Sequence, residues 1–231
     1  MKKRLVLRLR TNPSQHARLL ALQQAFAQVC NELAPIAQQH ACWNRVALHH
    51  MAYRAMRAKF PGLGSQMICN AIYSVSRSCR LVYQHPQSPF NLQRLGGRPL
   101  PRLHFLPQSP VYFDRHTLSL KDGQASMFTL DGRMRFQLEL TAEDEARFRT
   151  EKLREIVLQQ QGGAFTLSFL LEGAAPGTVV DEAELAEELE AAGSSGDLPE
   201  YMLVVGDDGP EAEQAPRPPS AMLETSTRAL P

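Results

Sequence analysis

Carboxylates are nearly absent from the first half of the chain. Residues 1–120 hold two acids, Glu32 and Asp114, against sixteen Lys and Arg, a net +14. An acid-based or two-metal active site needs several carboxylates close together, so this segment argues against one. No glycine-rich phosphate loop of the GxxxxGK type occurs, and no Ser, Cys or Lys nucleophile has an evident partner base. The four cysteines, Cys30, Cys42, Cys69 and Cys79, include no CxxC pair. Cys30, His40, Cys42, His49 and His50 fit no standard zinc-ligand spacing, which favours buried thiols and a surface histidine pair. There is no long apolar run, and the opening Met-Lys-Lys-Arg leads into alternating residues rather than a signal sequence. A cytoplasmic protein with reduced thiols, no membrane partner and no cofactor is expected.

What is present is a strong segregation of charge. The formal net charge of the 231 residues is only +1, because residues 121–170 carry −1 and residues 171–231 carry −12. A +14 segment calls for a polyanionic partner, and nucleic acid is the commonest. The length allows one or two domains. Residues 173–231 read as an acidic, largely disordered tail, with a short acidic helix over Asp181–Ala192 and linker-like Gly193–Gly196 and Pro210–Pro219. Such a tail either competes with nucleic acid for the basic face or only solubilises the chain.

The clearest structural pattern spans Pro110–Leu171. Met134, Phe136, Leu138 and Leu140 alternate with Arg133, Arg135, Gln137 and Glu139, a half-buried strand preceded by the hairpin turn Asp131-Gly132. Tyr112–Leu120 and Gln124–Leu130 flank Lys121-Asp122-Gly123, and Leu153–Gln159 and Ala164–Leu171 flank Gln161-Gly162-Gly163. Five strands with tight turns predict a small antiparallel barrel or curled sheet over 111–172. Thr141-Ala-Glu-Asp starts one short helix within it, ending near Thr150.

Upstream, residues 1–11 form a strand in which Leu5, Leu7 and Leu9 oppose Arg4, Arg8 and Arg10, and it is expected to join the later sheet. Residues 12–85 read as a helical bundle inserted after that strand. Asn12-Pro13 caps a helix with its apolar stripe at Leu19, Leu22, Phe26, Val29, Leu33 and Ile36, with Pro35 near its end. A second helix, from about Cys42 to Phe60, sets Trp43, Val46, Tyr53, Met56 and Phe60 as its stripe and groups His50, Arg54 and Arg57 on one side. Ser65 is placed to cap a third, whose core stripe is Ile68, Ile72, Val75, Cys79 and Val82. On another face Tyr73, Arg77 and Arg80 place an aromatic beside two cations, which suits base stacking and phosphate contact. Residues 86–110 read as a Pro-rich connector offering Arg94, Arg98 and Arg102 to a backbone. The expected fold is therefore α+β, and the candidate contacts are Arg4, Arg8, Arg10, His50, Arg54, Arg57, Tyr73, Arg77, Arg80, Arg94, Arg98 and Arg102.

The order of pieces resembles the N-terminal half of TnpB-like RNA-guided nucleases, transposon-encoded, and of the related compact type V CRISPR effectors. The likeness rests on Leu7–Arg10 with Thr11-Asn12-Pro13-Ser14-Gln15, Cys30-Asn31-Glu32-Leu33 and Leu63-Gly64-Ser65-Gln66 with Asn70-Ala71-Ile72. Leu118–Gly123 and Glu151–Ile156 resemble two strands of that family's β unit, and the likeness covers about residues 1–171. It implies a wedge-like β-barrel interrupted by a helical recognition lobe, together gripping a guide RNA and its heteroduplex with target DNA largely through backbone contacts. A RuvC-like domain with three carboxylates would follow residue 171 in that family. Here Val204–Gly209, with Asp207 and Asp208, resembles only its first catalytic strand, without the second and third acidic motifs or the zinc ribbon. The resemblance thus implies a nuclease-lacking, guide-RNA-associated DNA-binding or repressor protein, or a recognition subunit. The alternatives are the N-terminal component of a split nuclease with a separate RuvC-like chain, and a guide-independent single-strand or DNA-binding regulator.

Overall fold

The segments that close the largest sheet lie at opposite ends of a long stretch of chain. In the computed structural model, which describes residues 2–173 and 198–205, β1 (Lys2–Arg8) is followed by α1 (Pro13–Gln39), α2 (Arg45–Lys59), α3 (Ser65–Tyr83) and α4 (Leu92–Leu95). Strands β2 (Arg102–Phe105), β3 (Val111–Phe113), β4 (Leu118–Lys121), β5 (Gln124–Thr129) and β6 (Gly132–Gln137) come next. Then come α5 (Ala142–Thr150), β7 (Lys152–Gln161), β8 (Ala164–Glu172) and β9 (Met202–Val205). The fold is α+β with antiparallel sheets. β1 pairs with β8 from Lys2 opposite Glu172 to Arg8 opposite Thr166, giving the order β1-β8-β7-β3. Alternation explains the pairing: Leu7 and Leu9 are buried while Arg4, Arg8 and Arg10 face outward.

A second sheet is the meander β4-β5-β6, and a third pairs β2 with β9. Among the described residues these three sheets do not close into a barrel. The meander's turns follow the sequence: Asp122 and Gly123 take φ of 49° and 71°, and Gly132 takes 89°, the left-handed region that glycine enters without a Cβ clash. In β6 the buried positions are Met134 and Phe136, and Leu138 follows just after, as the alternation requires.

Helix α1 begins in a capping box, Asn12 accepting from the Gln15 backbone while the Gln15 side chain accepts from Asn12. Its Leu19, Leu22, Phe26, Val29 and Leu33 are buried, and it packs on α2, α3 and β2. Asn31, one of the residues of the resemblance, is half-buried and acts as a surrogate strand. Its amide donates to the Phe105 carbonyl at 2.9 Å and accepts the Phe105 N–H at 2.7 Å. Helix α5 carries the expected box, Thr141 with Asp144, and the hydrogen bonds from Thr141 hold the Asp144 carboxyl below its ordinary range.

Four expectations need correction. The core face of α2 is Leu48, Ala52 and Met56, whereas Val46 is 64% exposed. The pull toward Trp43 and Val46 fails because the helix starts only at Arg45, capped by Asn44, and Trp43 packs before it against Tyr83. Ser65 does not cap α3; Gly64 holds the N-cap position, with no side-chain cap bond. Tyr112–Leu120 is not one strand. Asp114 accepts from the backbone N–H groups of His116 and Thr117 at 3.0 and 2.9 Å, and this side-chain turn divides β3 from β4 into different sheets. The Pro-rich connector, finally, contains α4 and β2, and β2 is completed by β9, from within the segment expected to be a tail. The remainder of that segment, including Asp181–Ala192, Asp207, Asp208 and Pro210–Pro219, lies outside the described residues. No helix among the described residues is long and apolar enough to cross a membrane.

Candidate nucleic-acid interface

The twelve candidate contacts divide into those already bonded within the protein and those turned to solvent. On the outer face of β1, Arg4 donates to the Ser168 hydroxyl at 3.1 Å and lies 3.7 Å from the Glu155 carboxylate. Arg10, further along, is ion-paired with Glu139, both strongly exposed. Between them Arg8 is exposed with no hydrogen-bond or ion-pair partner among the described residues.

On α2, the spacing of four and three residues puts His50, Arg54 and Arg57 along one side. Arg57 is turned to the carbonyl of Leu63 in the turn that follows. His50 and Arg54 remain exposed, and His49 beside them stacks on Tyr53 with ring centroids 4.6 Å apart. Arg45, at the start of α2 and not among the expected contacts, sits 5.4 Å from the centroid of the Tyr73 ring.

The face of α3 expected to meet nucleic acid is instead directed inward. Arg77 donates to Glu155 at 3.0 Å and to the Tyr112 hydroxyl at 3.0 Å, and the Tyr73 hydroxyl reaches the same Glu155 oxygen at 3.3 Å. The Glu155 side chain is 7% exposed. Burial pushes the Tyr112 phenol well above its ordinary value, with the Arg77 charge opposing, so the ring stays neutral. Tyr201, just before β9, joins the same group and is shifted upward for the same principal reason. One carboxylate thus takes up three of the twelve expected contacts: Arg4, Tyr73 and Arg77. A cavity of about 250 Å3 opens beside it, lined by Arg45, Asn70, Tyr73, Tyr112, Asp114 and Arg154 among others. Arg80, one turn beyond Arg77, is half-buried with no side-chain partner among the described residues.

Glu155 keeps the face that alternation with Ile156 and Leu158 gives it, beside Val157 and Gln159. It was missed because alternation alone would leave that face to solvent; it is Tyr73 and Arg77, from a helix about eighty residues earlier, that cover the carboxylate. The sequence signal was a lone acid beside the apolar run Ile156-Val157-Leu158.

In the connector, Arg94 donates to the carbonyls of Gln87 and Ser88, and Arg98 to those of Leu95 and Arg94, so both tie down the loop around α4. Arg102 alternates outward on β2, exposed and without a partner among the described residues. The candidates still able to receive a phosphate without surrendering an internal bond are Arg8, Arg54, Arg80 and Arg102, with His50 beside Arg54. Comparison with protein-family models and with curated proteins gave no match to this chain.

Proposed function

We propose that this chain is a guide-RNA-associated, TnpB-like binding protein that grips RNA, and an RNA–DNA heteroduplex, by its phosphate backbone. One observation supports this above the rest: across a segment of net +14, Arg8, Arg54 and Arg102 are exposed and lack carboxylate partners among the described residues. On this reading the sheets β1-β8-β7-β3 and β4-β5-β6 make up the wedge-like unit, and α1–α3 are the lobe inserted after its first strand. Binding is the assigned role, and no catalytic step is given to residues 1–120, where two carboxylates are too few to hold metal ions for cleavage.

The test is to purify the protein at low salt, sequence whatever nucleic acid accompanies it, and titrate that RNA against salt. Counterion release lowers affinity by about 10³-fold or more between 50 and 200 mM salt when six or more phosphates are neutralised. RNA that elutes with rising salt is the expected result. Protein free of nucleic acid at low salt, or binding indifferent to salt, refutes the proposal.

A further inference from the structure

We infer that the outer face of the meander β4-β5-β6 is a platform for single-stranded RNA, on which an unstacked base lies against the guanidinium of Arg133. The inference rests on the reading of the chain as an RNA-binding protein and names a surface separate from the cations given to phosphates above.

The register puts the relevant side chains on one face. Phe128 stands opposite Arg133, Ser126 opposite both Arg135 and Ser119, and Gln124 opposite both Gln137 and Lys121. Their alternation partners Ala125, Met127, Met134 and Phe136 are buried on the other side. The outward set therefore holds three cations, two amides, two hydroxyls and an aromatic ring, and no acid. Neither Arg133 nor Arg135 has an ion-pair partner among the described residues. Charge complementarity thus points to an anionic occupant.

Phe128 is 41% exposed on the outward face of β5. The Arg133 guanidinium lies 4.3 Å from its ring centroid. It is held there by donating to the Ser126 hydroxyl at 3.0 Å, the Ser126 carbonyl at 2.9 Å and the Ser119 hydroxyl at 3.1 Å. A long side chain that would otherwise lose rotamer entropy on binding is already fixed over Phe128, and it remains exposed. Guanidinium planes and aromatic rings are the surfaces on which proteins stack the unpaired bases of RNA. Arg135 stands in the next row for the phosphate, and the amides of Gln124 and Gln137 in the row beyond, able to donate to and accept from a base edge.

The dimensions select a single strand. Strands about 4.8 Å apart and outward residues about 6.8 Å apart give a face of roughly 10 by 14 Å. That is room for two or three bases laid flat.

The test uses the full chain, a fluorescent twelve-nucleotide uridine RNA and a twelve-base-pair RNA duplex. In the double variant Phe128→Ala/Arg133→Ala, affinity for the single strand should fall about 10-fold or more, the usual loss for one stacked base, while duplex affinity stays within about 2-fold. Arg135→Glu, a change at an exposed residue, carries the same test if the double variant unfolds. Ultraviolet crosslinks from the uridine strand should map to residues 124–137. If wild-type protein binds neither RNA, the underlying reading fails. If it binds both and the variants keep full single-strand affinity, or crosslinks avoid 124–137, the platform alone is refuted.

Discussion

Replacing Arg77 by alanine separates two roles that one arginine on α3 could serve. The change removes the 3.0 Å bonds to Glu155 and to the Tyr112 hydroxyl and leaves a carboxylate whose side chain is only 7% exposed. Removing one partner of a buried ion pair costs about 3–5 kcal/mol, because the other charge remains desolvated. Two features reduce that here. Arg77 is itself 27% exposed, so solvent already screens part of the attraction. Glu155 also keeps Tyr73 at 3.3 Å and Arg4 at 3.7 Å. A loss of about 2–3 kcal/mol is the result, which for a chain of this size lowers Tm by roughly 4–12 °C. Arg77→Glu should be worse, since it sets a second carboxylate against the first. The double variant Arg77→Ala/Glu155→Gln should recover more than half of the loss, because the remaining amide carries no charge to leave unpaired. The assay is urea and thermal unfolding of the three variants beside a salt titration of RNA binding. If Arg77→Ala is as stable as wild type within about 0.5 kcal/mol and its binding loses about one unit of salt slope, Arg77 is a phosphate contact. The internal network would then be wrong.

Ending the chain at residue 173 removes β9, with buried Met202 and the Tyr201 carbonyl that accepts from Leu106 N–H at 2.9 Å and the Ser109 hydroxyl at 3.1 Å; urea unfolding should show a loss of about 3 kcal/mol, and a truncated chain as stable as the whole would contradict the β2–β9 pairing. Burial pushes the Cys30 and Cys79 thiols up to about 12, so in native protein at pH 8.5 mass spectrometry should find iodoacetamide on half-exposed Cys42 and not on these two. Because both folded values lie above the unfolded one, near 8.5, their contribution to stability is complete below about pH 8.5 and declines as pH rises toward 12; labelling of Cys30 or Cys79 at the rate of Cys42 would contradict their burial.

Periodicity and local chemistry carried much of this fold. The alternation in β1 and β6, the N-cap at Asn12, the capping box at Thr141 and the Asp-Gly turns are each decided by residues within a few positions of one another. A sequence shows such neighbours directly, and they came through as expected. The apolar stripe of α3 was legible for the same reason. What the sequence alone could not decide was which partner each polar side chain would meet. Arg77 and Glu155 are 78 residues apart, Asn31 and Phe105 are 74 apart, and β9 reaches β2 across about a hundred positions. Each pairing depends on how α3 and α1 come to rest on the strands. Cations of one composition were therefore sorted only by tertiary structure: Arg77 to a buried carboxylate, Arg94 and Arg98 to loop carbonyls, Arg8, Arg54 and Arg102 to solvent. The outward set on the meander shows the same division. The alternation told which residues would face out, but only the register of β5 against β6 brought Phe128 under Arg133, because the ladder, and not the order of residues, sets which side chains lie side by side.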